Sequence, residues 1–177
     1  PDLDPEKIFL NATHIHTGPY LSSKGFGRFG GKVWAAPQVT KEMMTPEEYA
    51  GFLVERVCEA VVEAWHRREK GGVSWKLGRA VIGHNRRVVY DDGTAKMYGS
   101  TDDIHFVRLE GASDQGVEML FFWNQGKELT GIILNVACPS QVMEHKSYIS
   151  ADFWGEVRRL IKDKYGRHIF VYAMTGA

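Results

Sequence analysis

The run "ELTGIILNVAC", residues 128–138, decides the fold. Its apolar residues are nearly continuous from Ile132 to Ala137, and only Asn135 interrupts them. A strand with one side in solvent alternates apolar and polar residues, whereas a strand covered on both faces reads as a continuous apolar run. The sequence therefore predicts a central strand that is buried on both faces.

Two further apolar runs precede this strand, "DIHFVRLEG" (103–111) and "VEMLFFWN" (117–124), and short polar turns separate all three. Consecutive strands joined by short turns are typical of an antiparallel meander. A "DDG" turn at Asp91–Gly93 predicts a hairpin upstream of them. The remaining predicted strands are 7–13, 73–82, 84–90, 95–98 and 168–174.

The first predicted helix begins at Pro46 and ends before Gly71. Thr45 is its expected cap and Glu48 completes a capping box, while proline suits the first helical position. Apolar residues at helical spacing form one stripe, which we interpret as core. This stripe consists of Tyr49, Phe52, Leu53, Val57, Ala60, Val61, Ala64 and Trp65.

A second helix is predicted within "SADFWGEVRRLIKDKYG" (150–166), with Ser150 as the cap and Gly166 at the end. Asp152 lies in its first turn, where a carboxylate favours the positive end of the helix dipole. Together these patterns predict an α/β or α+β fold, in which helices pack on a mixed, largely antiparallel sheet. Residues 1–177 are expected to form a single domain fragment.

Composition narrows the class of function. The chain has 177 residues, 44% of them hydrophobic, which suits an ordinary globular domain. Its 22 basic and 22 acidic side chains leave no net charge to attract nucleic acid, so no nucleic-acid partner is expected. Two cysteines are too few for a disulfide framework, and no run approaches the ~20 apolar residues of a membrane-spanning helix.

The stretch "NATHIHTGP" (11–19) places His14 and His16 where an apolar run meets a Gly-Pro turn. In extended backbone, residues two apart point to the same side, so both imidazoles are expected to share one direction. Such a pair suits a metal or proton-transfer site, since neutral imidazole is a good zinc ligand. The alternative is a pair that only forms hydrogen bonds near the core.

Two other segments carry candidate site residues. In "GHNRR" (83–87) the adjacent arginines diverge if the backbone is extended, and we select Arg86 as the one that holds an anionic or oxyanion group. Cys138 leaves the central strand at a cleft-forming end. It is a candidate thiolate ligand or nucleophile, and the alternative is a small buried apolar residue.

Six blocks, taken in order, resemble the N-terminal catalytic region of the neutral/alkaline non-lysosomal ceramidase family. The blocks are "NATHIHTGP", "IGHNRR", "DDIHFVRLEG", "LTGIILNVAC", "ISADFWGEVRRLI" and "FVYAMTGA", and they run from Ile8 to Ala177. The resemblance implies a zinc-dependent amidase of sphingolipid metabolism, which hydrolyses the N-acyl bond of ceramide. It also implies a fragment of a larger catalytic domain, and a secreted protein that is extracellular or periplasmic.

The resemblance also assigns roles to individual residues. It makes His14 a zinc ligand, and it makes His16 and Arg86 contacts to the substrate amide and to the tetrahedral intermediate. One position departs from the family pattern: Pro139 stands where family members commonly carry a histidine that is a second zinc ligand. Three outcomes then stay open: the zinc is lost, it is bound weakly by fewer ligands, or Cys138 or His145 replaces the missing ligand. The remaining ligands are expected in the remainder of the protein, beyond residue 177.

Three functions therefore stay open. The first is a metal-dependent hydrolase of carbon–nitrogen bonds other than peptide bonds, which acts on a lipid or small molecule and touches the membrane through its substrate. The second is a non-catalytic relative that uses the Gly-rich loop (18–32) and Arg86 to bind a lipid or sugar. The third is an amidohydrolase of another substrate, although the antiparallel runs disfavour its barrel form.

Overall fold

The computed structural model describes residues 2–22, 26–29, 32–34, 40–144 and 146–176. A short 3-10 turn, Pro5–Lys7, precedes the regular elements. In chain order these are β1 (Phe26–Phe29), β2 (Lys32–Trp34), α1 (Pro46–His66), β3 (Gly71–Arg79), β4 (Arg87–Tyr90), β5 (Ala95–Met97), β6 (Phe106–Leu109), β7 (Gly116–Asn124), β8 (Leu129–Val136), α2 (Phe153–Tyr165) and β9 (Phe170–Thr175). Mixed and antiparallel sheets with helices confirm the predicted fold class.

The predicted central strand, β8, lies inside a four-stranded sheet of order β3-β7-β8-β9. It pairs antiparallel with β7 on one side and parallel with β9 on the other. The prediction of a central strand is confirmed. Burial is deepest on one face only: Ile132 and Val136 share a face and are each 4% exposed, whereas Ile133 on the other face is half-buried. The sheet is mixed because β9 returns to β8 through a helix rather than through a tight turn.

Helix α2 makes that return connection and covers one face of the sheet. Its Trp154 is 2% exposed and packs with Val136 of β8 and Ala173 of β9. Because β8 and β9 run parallel, their carboxyl ends meet at one edge, where Val136 is in register with Thr175. The loop that follows β8 therefore begins at this edge of the sheet.

The second sheet is antiparallel, with order β5-β4-β6. The predicted turn at Asp91–Gly93 joins β4 to β5, and Gly93 supplies its positive φ of +79°. The predicted three-strand meander is wrong, because β6 pairs with β4 in this sheet and not with β7. Val88 of β4 is 1% exposed, so the sheet that β6 joins has a buried apolar residue of its own.

The predicted strand at 7–13 is also wrong. Asp4 caps the 3-10 turn by accepting a hydrogen bond from the Glu6 amide, and the chain that follows is irregular. Phe9 and Leu10 are exposed, so no neighbouring strand among the described residues covers this apolar run. Only Ile15 joins a bridge, a parallel one with Ser140.

Helix α1 has the predicted capping box: the Thr45 hydroxyl accepts from the Glu48 amide and the Glu48 carboxylate accepts from the Thr45 amide. Its apolar stripe is not core within the described part of the chain, since Phe52 is 43% exposed and Pro46 is the one buried residue of the helix. Spacing defines an apolar face but not what covers it. Neither α1 nor α2 combines the length and apolar character needed to cross a membrane.

Three further predictions concern the ends of α2, the last strand and the Gly-rich loop. The cap of α2 is Asp152 rather than Ser150, although Gly166 ends the helix as predicted, with φ +112°. The last predicted strand is confirmed as β9. Within the Gly-rich loop 18–32, β1 and part of β2 pair antiparallel, while 23–25 and 30–31 lie outside the described residues.

Candidate functional site

The loop that follows β8 holds the histidine segment against the edge of the sheet. The Ser140 amide donates to the His14 carbonyl at 3.2 Å, and the His16 amide donates to the Ser140 carbonyl at 3.3 Å. Ser140 is fully buried, and its hydroxyl donates to the Thr13 carbonyl at 2.9 Å. These three hydrogen bonds fix the backbone of the histidine pair next to the end of β8.

The two imidazoles face the same space. Their ring centroids lie 5.1 Å apart and their planes are inclined by 23°, so the rings stack. This confirms the predicted shared direction, but the reason given for it is wrong. His14 has a left-handed φ of +48°, so the rings meet through a local bend and not through strand alternation.

The His16 ring has two polar neighbours. The Gln141 amide nitrogen lies 3.0 Å from Nε2, and a Glu144 carboxylate oxygen lies 3.9 Å from Nδ1. The same Gln141 nitrogen lies 3.4 Å from Nδ1, so this amide sits close to both nitrogens of the ring. Sequence reasoning missed both neighbours, because 125 residues separate Gln141 from His16.

Asp152 ties the start of α2 to the loop after β8. One carboxylate oxygen accepts from the Phe153 amide at 2.7 Å, and the other accepts from the Met143 amide at 2.8 Å. Its own amide donates to the Ser150 hydroxyl at 2.9 Å. The residue is 8% exposed and has a φ of +51°. Its position in the first turn was readable from the sequence, but its bond to Met143 was not.

Cys138 lies between the histidine segment and the core. Its side chain packs against the cluster of Val136, Trp154 and Ala173, and its thiol points to the Pro139 carbonyl at 3.5 Å. Burial raises the pKa of the Cys138 thiol above its ordinary value. This environment supports the interpretation as a small, half-buried residue, while its role as a metal ligand stays a prediction.

The segment that leads to Arg86 passes Cys138, shortly after the end of β8. A Cβ added at Gly83 would lie 3.3 Å from the Cys138 sulfur, so the chain leading to Arg86 passes directly over that residue. The Arg86 charge acts on the Cys138 thiol and lowers its pKa, against the larger effect of burial. Among the described residues, no hydrogen bond or ring contact joins Arg86 to His14 or His16, so a site shared by the three residues stays a prediction.

Tyr98 holds the Arg86 guanidinium. Arg86 Nη1 donates to the Tyr98 hydroxyl at 2.6 Å, and the guanidinium carbon lies 4.9 Å from the centre of the Tyr98 ring. The neighbouring Arg87 turns away and pairs with Glu110 at 2.7 Å. The two arginines therefore diverge as predicted. Tyr98 was missed, although its φ of +54° is unusual for a bulky residue.

Zinc is the metal that the family resemblance implies, and the described residues do not complete a site for it. Zinc sites in proteins use three or more ligands drawn from histidine, cysteine and carboxylates. Across 2–22, 40–144 and 146–176, no three such side chains come together as a metal-binding group. His145, the other candidate replacement ligand, lies outside the described residues. His14 and His16 therefore provide at most two imidazoles.

Comparison with solved structures places this arrangement in a known fold. The chain is similar to the neutral ceramidase of Pseudomonas aeruginosa, with 15% identity and a TM-score of 0.50, over 72% of this chain and 19% of that one. It is also similar to a ceramidase complexed with C2, with 18% identity and a TM-score of 0.51, over 72% of this chain and 19% of that one. No family model and no curated protein matches the sequence.

At 15% and 18% identity, the similarity to these two structures establishes the fold of the chain. It confirms, at that level, the resemblance drawn from the six sequence blocks. The chain spans 19% of the length of the ceramidases that it matches.

Proposed function

We propose that this chain belongs to a ceramidase-like hydrolase that cleaves the amide bond of an N-acylated amine. The observation that carries the proposal is the stacked pair His14 and His16, fixed against the loop after β8 with 5.1 Å between ring centroids. The charge of Arg86 lowers the pKa of the Cys138 thiol, in the loop that holds the histidine pair, and this supports placing Arg86 in the same site. A fold shared with neutral ceramidase supports the assignment to amide hydrolysis.

Arg86 is the proposed clamp on the oxygen of the scissile amide. Tyr98 engages one of its guanidinium nitrogens, which leaves other N–H groups to donate to an anionic oxygen. A positive group fixed where negative charge develops lowers the barrier of acyl transfer, commonly by a few kcal/mol. Arg86 is suited to this role because its stacking on Tyr98 limits its motion.

His16 is the proposed contact to the amide and the group that moves a proton at the leaving nitrogen. The Gln141 amide nitrogen lies 3.0 Å from its Nε2, and a Glu144 carboxylate oxygen lies 3.9 Å from its Nδ1. An imidazole with a polar group near each ring nitrogen is suited to general acid–base work. Gln141 leaves Nε2 when a substrate hydrogen-bonding group replaces it.

Zinc is the proposed cofactor, with His14 as one ligand. When bound, zinc supplies a polarised water or hydroxide near neutral pH. Because the described residues do not complete its coordination, the proposal requires ligands from elsewhere in the protein. Cys138 is a weaker candidate ligand, since its thiol sits against the apolar core.

A lipid is the proposed class of substrate. The residues that lead into the histidine pair are apolar and exposed, with Phe9 at 68% and Leu10 at 71%. An apolar run beside a polar site suits a substrate with a long acyl chain and an amide head, and it suits contact with a membrane surface through that substrate. An extracellular or periplasmic location is proposed from the resemblance to the ceramidase family.

A non-catalytic relative that binds a lipid or sugar is the second candidate. Pro139 favours it, because proline cannot replace the histidine that the family commonly has at that position. The two candidates differ in outcome: a binding protein retains the amide intact, whereas a hydrolase releases a fatty acid and an amine.

The full-length protein, incubated with zinc and a short-chain N-acylsphingosine, tests the proposal. Mass spectrometry of the free fatty acid and the amine is the readout. We expect release of both by the wild type and a loss of about 100-fold or more in the His16→Asn and Arg86→Lys variants. His66→Asn, at the exposed end of α1, is the matched control and keeps full activity. Binding without release by the wild type would establish the second candidate instead.

A further inference from the structure

His16 is held from two directions by different parts of the chain. On the backbone side, the adjacent Thr17 hydroxyl donates to the Ser150 carbonyl at 3.1 Å, and the Ser150 amide donates back to the Thr17 carbonyl at 3.3 Å. On the ring side, Gln141 and Glu144 contact the imidazole nitrogens. The orientation of the His16 ring therefore depends on where Ser150 and the 141–144 segment lie relative to each other.

Asp152 joins these two supports. Its amide donates to the Ser150 hydroxyl at 2.9 Å, and its Oδ2 accepts from the Met143 amide at 2.8 Å. Met143 lies inside the 141–144 segment, so the carboxylate links both supports in one closed set of hydrogen bonds. The link is short and shielded, because Asp152 is nine-tenths buried.

A helix cap alone does not account for this arrangement. The capping bond uses Oδ1, which accepts from the Phe153 amide. Oδ2 bonds to Met143, outside the helix, and so does not cap α2. The backbone also has φ +51° and ψ −151°, a combination that residues other than glycine rarely adopt. Thr45 caps α1 with an ordinary extended backbone and no bond beyond its own helix. Strain of this kind is retained where the surroundings over-determine it.

We propose that Asp152 is a positioning residue for His16, which holds the imidazole in the orientation that it needs toward a bound N-acyl substrate. The proposal rests on the proposed function and adds a residue to that same site. Asp152 reaches the imidazole through Met143 and the 141–144 segment, and it does not touch the substrate itself.

Two substitutions separate positioning from capping. Asp152→Gly removes both acceptor oxygens and fits the positive φ without strain, while Asp152→Asn retains a single side-chain oxygen to accept one of the two bonds. Thr45→Ala is the matched control, because it removes the cap of α1 and leaves the histidine segment untouched. All three are made in the full-length protein, and thermal midpoints show which of them fold.

The readouts are kinetic and spectroscopic. In both Asp152 variants we expect kcat for the N-acylsphingosine to fall by about 10- to 100-fold, with KM within about twofold of the wild type. In protein with 13C-labelled histidine, the His16 ring resonance is expected to shift or broaden in these variants and to match the wild type in Thr45→Ala. The Asp152→Asn variant is expected to lose less than Asp152→Gly.

The result that overturns the proposal is a folded Asp152→Gly whose kcat and His16 resonance match the wild type. If Asp152→Gly fails to fold, the same two measurements on Asp152→Asn decide. If the wild type shows no hydrolysis, the proposed function fails, and the His16 resonance still decides whether Asp152 positions the ring.

Discussion

His14 and His16 stack with 5.1 Å between their ring centroids, although the backbone at His14 is left-handed. Two imidazoles that face one space provide part of a metal site, and His14→Asn tests this. Asparagine tolerates a positive φ, so this variant is expected to fold while it loses the imidazole. We expect the wild-type full-length protein to bind zinc and His14→Asn to lose most of it, as measured by metal analysis. Equal zinc in both proteins would contradict the assignment of His14.

Tyr98 restrains the Arg86 guanidinium through one hydrogen bond of 2.6 Å and through its ring face. Tyr98→Phe removes the hydrogen bond and keeps the ring, whereas Tyr98→Leu removes both. A hydrogen bond contributes about 0.5–1.5 kcal/mol, so we expect kcat/KM to fall about threefold in Tyr98→Phe. The cation over the ring contributes about 0.5–1 kcal/mol more, so Tyr98→Leu is expected to lose further activity. Arg87→Gln, which breaks only the pair with Glu110, is the control and leaves kcat/KM unchanged.

Burial raises the pKa of the Cys138 thiol, with a smaller opposing effect of Arg86 and a smaller raising effect of Asp152. Cys58 is exposed on α1, so it provides an internal comparison. We expect iodoacetamide to modify Cys58 at neutral pH and to spare Cys138, as followed by peptide mass spectrometry. Rapid modification of Cys138 at neutral pH would show that its thiol is not buried in this way.

The raised pKa of the Cys138 thiol makes the stability of the folded protein depend on pH. The folded state holds the proton more tightly than the unfolded state, so this contribution is complete below the ordinary thiol pKa of about 9 and is lost as the pH rises through the folded value. We expect the thermal midpoint to fall more steeply above pH 9 in the wild type than in Cys138→Ala. Parallel pH profiles for the two proteins would contradict this link.

Adjacent glycines at the start of β3 give a matched pair for testing the sheet. A Cβ at Gly71 would lie 2.3 Å from the Trp123 carbonyl oxygen, whereas a Cβ at Gly72 meets nothing within 4 Å. Backbone cannot move away as a side chain can, so we expect Gly71→Ala to destabilise by about 1–3 kcal/mol and Gly72→Ala to change stability little. Denaturant unfolding measures both. Equal stabilities would mean that β3 and β7 are not paired in this register.

The sequence predicts the parts of the fold that local patterns control. A continuous apolar run defined β8, Thr45 and Pro46 marked the start of α1, and Gly166 marked the end of α2. The other two boundaries were wrong, because α1 already ends at His66, before Gly71, and Asp152 replaces Ser150 as the cap of α2. Partners were not predictable, because periodicity does not tell a strand which neighbour to join. Thus β6 joined β4 instead of β7, and the apolar stripe of α1 stayed exposed.

The residues of the candidate site were likewise predictable only in part. His14, His16 and Arg86 carry distinctive chemistry and were selected from their residue types and neighbours. Their supporting residues were missed, since those contacts join distant segments, as with Gln141 and His16. Three of the positive-φ residues, His14, Tyr98 and Asp152, take part in the site, and no local sequence pattern marks such strain in a residue other than glycine.

The central claim is that an imidazole and a guanidinium act on the same amide group, and a double-mutant cycle on kcat/KM tests it most directly. The cycle compares His16→Asn, Arg86→Lys and the double variant in hydrolysis of an N-acylsphingosine by the full-length protein. Groups that share one transition state are not additive, and we predict a coupling energy of about 1 kcal/mol or more. Strictly additive losses, or a kcat/KM that neither substitution changes, would contradict the account.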